Sequence, residues 1–229
     1  MMKDVQTATN AEEEKDTLGG FQIYESDLYK FNVDTAYIDQ ADSGAYFLAL
    51  SLVNEEGGIY KENIYFTSGK AKGTKTFYEK DGKQHNLPGY NIASAIAQFT
   101  VGKDILEVPT SEKTLNIYDS KAKKETPQKK DVVMDMLQKP IALGVLRQTV
   151  NKTVNKDGKY VPIPEFFDTN VIDRVFHPET GCTLVEHKAG ESVGEFQEKW
   201  QNKHGGMTQD RRTIKSGGDA TKKPKKKLF

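Results

Sequence analysis

YKENIYFTSGKAKGTKTFYEKDGK, residues 60–83, is the stretch on which the fold turns. Residues 59–67 and 74–80 read as two short strands either side of a Gly/Ser/Lys loop at 68–73. Alternation puts Lys61 and Tyr65 on one face of the first run, and Ile64 and Phe66 on the other. In the second run Lys75 is in phase with Phe77, and Tyr78 with Lys80. Adjacent strand residues face opposite sides, so one of Phe77 and Tyr78 is expected in the core and the other outside. A lysine meets a phosphate by charge, and an aromatic ring offers a base a stacking surface. Interleaved on a sheet, the two make a surface for single-stranded nucleic acid. The same letters also fit a solvated hairpin whose aromatics face the core, because Lys and Tyr are ordinary on strands.

Working outward, Tyr29, Phe31, Val33, Thr35 and Tyr37 alternate with polar residues, as a half-buried strand does. Residues 45–54, AYFLALSLVN, are apolar on both faces, as in a central strand. With residues 59–67 they form a three-stranded meander, and 74–80 follows as a hairpin arm. Behind Pro88-Gly89, the spacing of Ile92, Ala93, Ile96, Ala97 and Phe99 predicts a helix that stops at Gly102. Further on come a short strand at 114–118, a basic loop at 119–130 and a short helix around Val132–Leu137. Then follow a strand at 141–150 with a bulge or bend at Gly144, a basic loop at 151–159, and a closing strand at 171–176. Val193, Phe196 and Trp200 mark a last amphipathic helix. This predicts a mainly β chain with added helices, of α+β class. Five main strands with a helix between the third and the fourth match an OB-type barrel with an inserted helix and a C-terminal amphipathic helix. An α+β sandwich of the same elements is the competing layout.

The chain is neutral overall, with 33 basic and 33 acidic side chains, but the charge is unevenly spread. Residues 1–20 hold 2 basic and 5 acidic groups, while 199–229 hold 10 basic and 2 acidic. The organisation expected is an acidic, disordered N-terminal arm at 1–20, one binding domain at 21–204 and a flexible basic tail at 205–229. No apolar run is long enough to span a bilayer, so no membrane partner is expected. One cysteine, Cys182, allows neither an internal disulfide nor a cysteine-based zinc site.

No motif supplies a chemical centre. Residues 68–75, SGKAKGTK, have the residue types of a phosphate-binding loop, but the spacing is wrong and a strand follows. Glu186-His187-Lys188 after a strand-like 183–185 has the acid-x-Lys form of Mg²⁺-dependent nucleases, with Asp168 or Asp173 as a second ligand. Glu13-Glu14-Lys15 shows how readily composition alone yields that triplet. The four histidines form no metal-binding pair. The reading is a non-catalytic binding module without cofactor or metal. A nuclease and a virion or scaffold protein are the alternatives. Phosphates are expected along Lys61, Lys70, Lys72, Lys75 and Lys80, with Lys121, Lys123, Lys124, Arg147, Lys152 and Lys156 on neighbouring segments. Bases are expected on some of Tyr65, Phe77, Tyr78 and Tyr160. At the C-terminus, Lys225, Lys226 and Lys227 precede Leu228-Phe229, and charge next to an apolar end suits docking to a protein partner.

The order of these segments resembles single-stranded DNA-binding proteins of tailed bacteriophages. The residues that carry this are FNVDTAYI at 31–38, Ser-Gly-Ala at 43–45, ENIYFT at 62–67, TFYEKDGK at 76–83, LPGY at 87–90, Phe176 with Thr180-Gly181, and the helix ending in Trp200. The resemblance spans roughly residues 21–212. It implies an OB-type fold and coating of unwound DNA during phage replication and recombination, in the cytoplasm of the infected bacterial host. Many members end in an acidic tail with a terminal Phe. Phe229 is kept here, but lysines replace the acids. The basic end is similar to that of relatives which also activate transcription by contacting host RNA polymerase, and host RNA polymerase or phage replication proteins are the partners the resemblance implies for the tail.

Overall fold

The computed structural model describes residues 23–119, 122–156 and 159–214. The chain is mainly β with three α-helices among the described residues, an α+β class as the sequence predicts. Its frame is β1 (Asp27–Gln40), β2 (Tyr46–Val53) and β3 (Ile59–Tyr65), an antiparallel meander. Leu48, Leu50 and Leu52 of β2 and Ile64 of β3 point to the core, and Lys61 and Tyr65 point away from it, as alternation requires. Phe47 and Ala49 on the outer side of β2 are nearly covered as well, which explains its uninterrupted apolar run.

The other edge of β1 is shared. Asp27–Asn32 pairs with β8 (Pro140–Lys156), and Tyr37-Ile38 pairs with β7 (Lys124–Val132). β6 (Ser111–Asp119) joins β7 in a hairpin, and β9 (Lys159–Phe176) joins β8 in a longer one. The register shift at Gly144/Val145 lies where a bulge or bend is expected. Among the described residues no ladder joins β3 to β9, so the predicted barrel is not closed. Glu62 of β3 spans that seam instead, accepting the Ile172 N–H at 2.9 Å.

α1 (Pro88–Val101) covers the core with Ala93, Ile96 and Ala97. Proline stands in its first turn, and Gly102, at φ 77°, ends it. Gly89 is required by contact: a Cβ there would lie 1.9 Å from the Tyr65 carbonyl oxygen. Its absence lets the first turn of α1 rest on the end of β3. On the opposite face of β8 and β9, Trp200 of α3 (Phe196–His204) packs with Ala142, Leu146 and Phe176. Its indole N–H donates to Asp173 at 2.7 Å. Gly144 makes room, since a Cβ there would meet the indole at 2.9 Å. Val193 and Phe196 stay exposed, so only Trp200 of the predicted apolar triplet is core.

Several sequence expectations are corrected. Residues 77–80 form β4 (Phe77–Lys80) and pair with β5 (Lys83–Asn86) across Asp81-Gly82, in a separate two-stranded sheet. Both faces of that sheet are open, so neither Phe77 nor Tyr78 is core. The predicted basic loop 119–130 is largely strand β7. Its inward alternation is carried by Thr126, Gln128 and Lys130, which hydropathy does not register. The predicted loop 151–159 is the continuation of the β8–β9 ladder, with Val154 opposite Val161. Residues 183–185 begin no strand. They open α2 (Leu184–Lys188), fixed by a Thr183–Glu186 capping box. The predicted short helix near 132–137 is a 3₁₀ turn at Met134–Met136. Beyond residue 205 the chain still belongs to the sheet: β10 (Thr208–Asp210) runs parallel to β8, and Asn151 receives the Thr213 and Ile214 N–H groups.

Candidate nucleic-acid interface

The loop after β3 is folded back on the sheet by its own backbone. Ser68 N–H donates to the Lys75 carbonyl at 2.8 Å, and Lys75 N–H to the Ser68 hydroxyl at 2.9 Å. Lys70 N–H donates to Ser43 in the β1–β2 turn, and Leu87 N–H to Thr76 at the mouth of α1. These bonds bring the end of β3, the 3₁₀ turn Lys70–Lys72, the β4–β5 hairpin and the start of α1 around one open groove of about 840 Å³. Tyr65, Lys72, Lys75, Phe77 and Tyr78 line it, and all five are sequence candidates. Glu79 adds one acidic group to the wall.

Tyr65 and Tyr78 are 49 % and 46 % exposed, so each ring has a free surface while the rest of it is held. Phe47 props Tyr65, with centroids 5.2 Å apart, and His85 stacks on Tyr78 at 5.5 Å and 26°. Lys75 Nζ lies 5.3 Å from the Phe77 centroid, a cation–π contact that aligns charge with ring. Among the described residues, Lys61, Lys70, Lys72, Lys75 and Lys80 enter no ion pair. Their charge is available to an anion. Lys80 stands directly opposite Lys83 in the β4–β5 ladder, on the face that carries Tyr78 and His85. Like charges placed so oppose each other unless an anion lies between them.

The remaining candidates fall into two groups. The β6–β7 hairpin leaves β1 at Tyr37-Ile38 and runs on past the C-terminal end of β1, the groove's end of the sheet. Lys123 and Lys124 are exposed near its tip, and Lys121 lies outside the described residues. Tyr118 is exposed on the same hairpin, and Lys130 pairs with Asp39 while sitting 5.8 Å over the Tyr37 ring. The β8–β9 hairpin goes the other way. Val145 opposes Asp27, so residues beyond 145 run off the N-terminal end of β1. Lys152, Lys156 and the exposed Tyr160 therefore lie beyond the N-terminal end of β1, whereas the groove lies at its C-terminal end. Lys152 is paired with Glu165 at 2.8 Å. Arg147 is held between Glu25 and Asp168, the latter at 2.7 Å. Hydrogen bonds from Thr149 and then Arg147 keep the Asp168 carboxyl below its ordinary range.

The carboxylates suggested for a metal centre are used within the fold. Glu186 accepts the N–H groups of Thr183, Glu195 and Phe196, and these bonds outweigh its burial and hold it ionised. Asp173 serves Trp200, and Asp168 serves Arg147 and Thr149. Lys225, Lys226, Lys227 and Phe229 lie outside the described residues. Sequence reasoning missed Phe47, Lys83 and His85. The Asp81-Gly82 turn was the available signal, because it makes a hairpin of residues 77–86. No protein-family model, characterised protein or solved structure matches the chain.

Proposed function

We propose that the chain binds single-stranded DNA without base specificity and coats it where phage DNA is unwound for replication or recombination, in the cytoplasm of an infected bacterium. The observation that carries this reading is the groove, where three aromatic rings and two unpaired lysines line one open channel. Stacking on such rings tolerates every base, at ~1–3 kcal/mol per base. The lysines neutralise the backbone and release counterions. Lys70 and Lys80, with Lys123 and Lys124 on the β6–β7 hairpin, extend the positive charge at the same end of the sheet, whereas Lys61, on the outer face of β3, lies nearer the other end of that strand. The fold is read as an open OB-type barrel of β1, β2, β3, β8 and β9, with α1 between the third and fourth strands. What supports it is the strand order β3-β2-β1-β8-β9 and the approach of β3 to β9 through Glu62. The protein is read as non-catalytic, and its basic tail as the contact for a protein partner such as host RNA polymerase.

A gel shift of labelled oligo-dT against a duplex of equal length, with and without Mg²⁺, tests the reading. Shifted, intact oligo-dT is the expected result. Cleavage in Mg²⁺, or equal retention of the duplex, would overturn it.

A further inference from the structure

The end of the sheet opposite the groove carries a second open cleft, of about 460 Å³. It lies between the chain entering β1 and the turn that joins β2 to β3. Tyr24, Glu25, Tyr29, Asn54, Glu55 and Glu56 line it. The rings of Tyr24 and Tyr29 meet edge to face at 5.0 Å. Glu55 and Glu56 are exposed and enter no ion pair among the described residues, whereas Glu25 shares the Arg147 guanidinium. Lys30 is the counter-charge on the wall. Tyr24 is only 4 % exposed, and its hydroxyl has no hydrogen-bond partner among the described residues. That hydroxyl ends against Asn54 and the turn, where a methyl on Gly58 would lie 2.8 Å from it. Acidic groups beside aromatic rings select a cation with an aliphatic stem. The ammonium meets the carboxylates, and the methylenes cover the half-buried Tyr29 ring.

The chain itself holds a segment of that chemistry. Ile214 N–H donates to Asn151 at 3.0 Å, four residues along β8 from the Arg147 that grips Glu25. The described chain therefore ends about 13 Å of strand from the cleft's rim. Residues 215–229 follow, with six lysines and one aspartate, and five of the lysines fall within 222–227. The eight residues from 214 to 222 reach about 26–29 Å when extended, enough to return to the cleft.

We propose that residues 222–227 dock within the same molecule in this cleft, with their ammonium groups on Glu55 and Glu56 and their stems against the Tyr29 ring, which the buried Tyr24 holds edge to face. The docked tail is kept at the end of the sheet remote from the groove, and a partner that takes the tail competes with the two glutamates. The inference does not rest on the single-strand reading.

The test uses the full chain. Carbodiimide, which joins only touching amines and carboxylates, is applied to dilute protein and the links are mapped by mass spectrometry. Links from lysines 222–227 to Glu55 or Glu56 within one chain are expected. Trypsin should then cut the tail faster in Glu55→Gln/Glu56→Gln, whose substituted side chains are exposed in a turn. Links to the acidic residues 4–16, links between chains, no links, or equal cleavage of the tail in both proteins would each overturn the proposal.

Discussion

Tyr78→Ala separates a stacking ring from a structural one. Tyr78 is 46 % exposed, lies on a two-stranded hairpin outside the main core, and among the described residues has His85 as its one aromatic partner. Removing it costs a cross-strand contact of ~0.2–1 kcal/mol. Such a loss shifts the melting temperature of a chain this long by at most ~2–4 °C. If one base stacks on the free half of the ring, affinity falls by ~1–3 kcal/mol. At ~1.4 kcal/mol per decade, that is about five- to 150-fold in Kd. Fluorescence anisotropy of labelled oligo-dT at fixed salt reads the change, and thermal denaturation reads the fold. Tyr160→Ala, on the β8–β9 hairpin beyond the N-terminal end of β1, is the internal control and should change Kd by less than about twofold. An unchanged Kd for Tyr78→Ala, together with a large loss for Tyr160→Ala, would refute the reasoning and move the binding surface to the β8–β9 hairpin.

Three further outcomes follow from the same geometry. The log–log salt slope of oligo-dT binding should be ~3–6 in magnitude if five to eight lysines at the groove end meet phosphates at ~0.7 each, and a flat dependence would remove them from the interface. Gly89→Ala should destabilise the fold by ~1–3 kcal/mol and also weaken DNA binding, because its methyl would strike the Tyr65 carbonyl and push α1 off the end of β3; a melting curve like that of the parent would contradict this. Burial between β3 and β9 raises the Glu62 carboxyl above the ordinary glutamate value of 4.5, against the lowering effect of bonds from Tyr60 and Ile172. The folded state thus holds that proton more tightly than the unfolded chain, so the parent loses stability as pH rises from about 4.5 through the raised value. Glu62→Gln keeps an acceptor for Ile172 and should gain stability over the parent at pH 7 relative to pH 4, as read by denaturant titration. The same difference at both pH values would show that Glu62 does not carry the effect.

Much of the site was legible because its signals are local. Alternation in β3 separated Lys61 and Tyr65 from Ile64 and Phe66, and Pro88 with Gly102 bounded α1. What failed was set at a distance or written in polar letters. β7 turns Thr126, Gln128 and Lys130 inward, so its strand has no apolar period. Lys152 and Lys156 read as a loop, yet they lie in a ladder whose partners come from β9. The separation of Tyr160 from Tyr78 follows from the pairing of Val145 with Asp27, a register that no local pattern encodes. β10 is three polar residues held by the edge of β8, with Ser26 fixing Gly206 and Met207 just before it, and nothing in its own composition announces it.

The central claim is that the groove beside β3 holds the nucleic acid. Photo-crosslinking of the full chain to oligonucleotide carrying 5-iodouracil, followed by peptide mapping, tests it most directly. Adducts on Tyr65, Phe77 or Tyr78 are the predicted result. Adducts confined to Tyr160 and the β8–β9 hairpin, or none on the groove peptides, would contradict it.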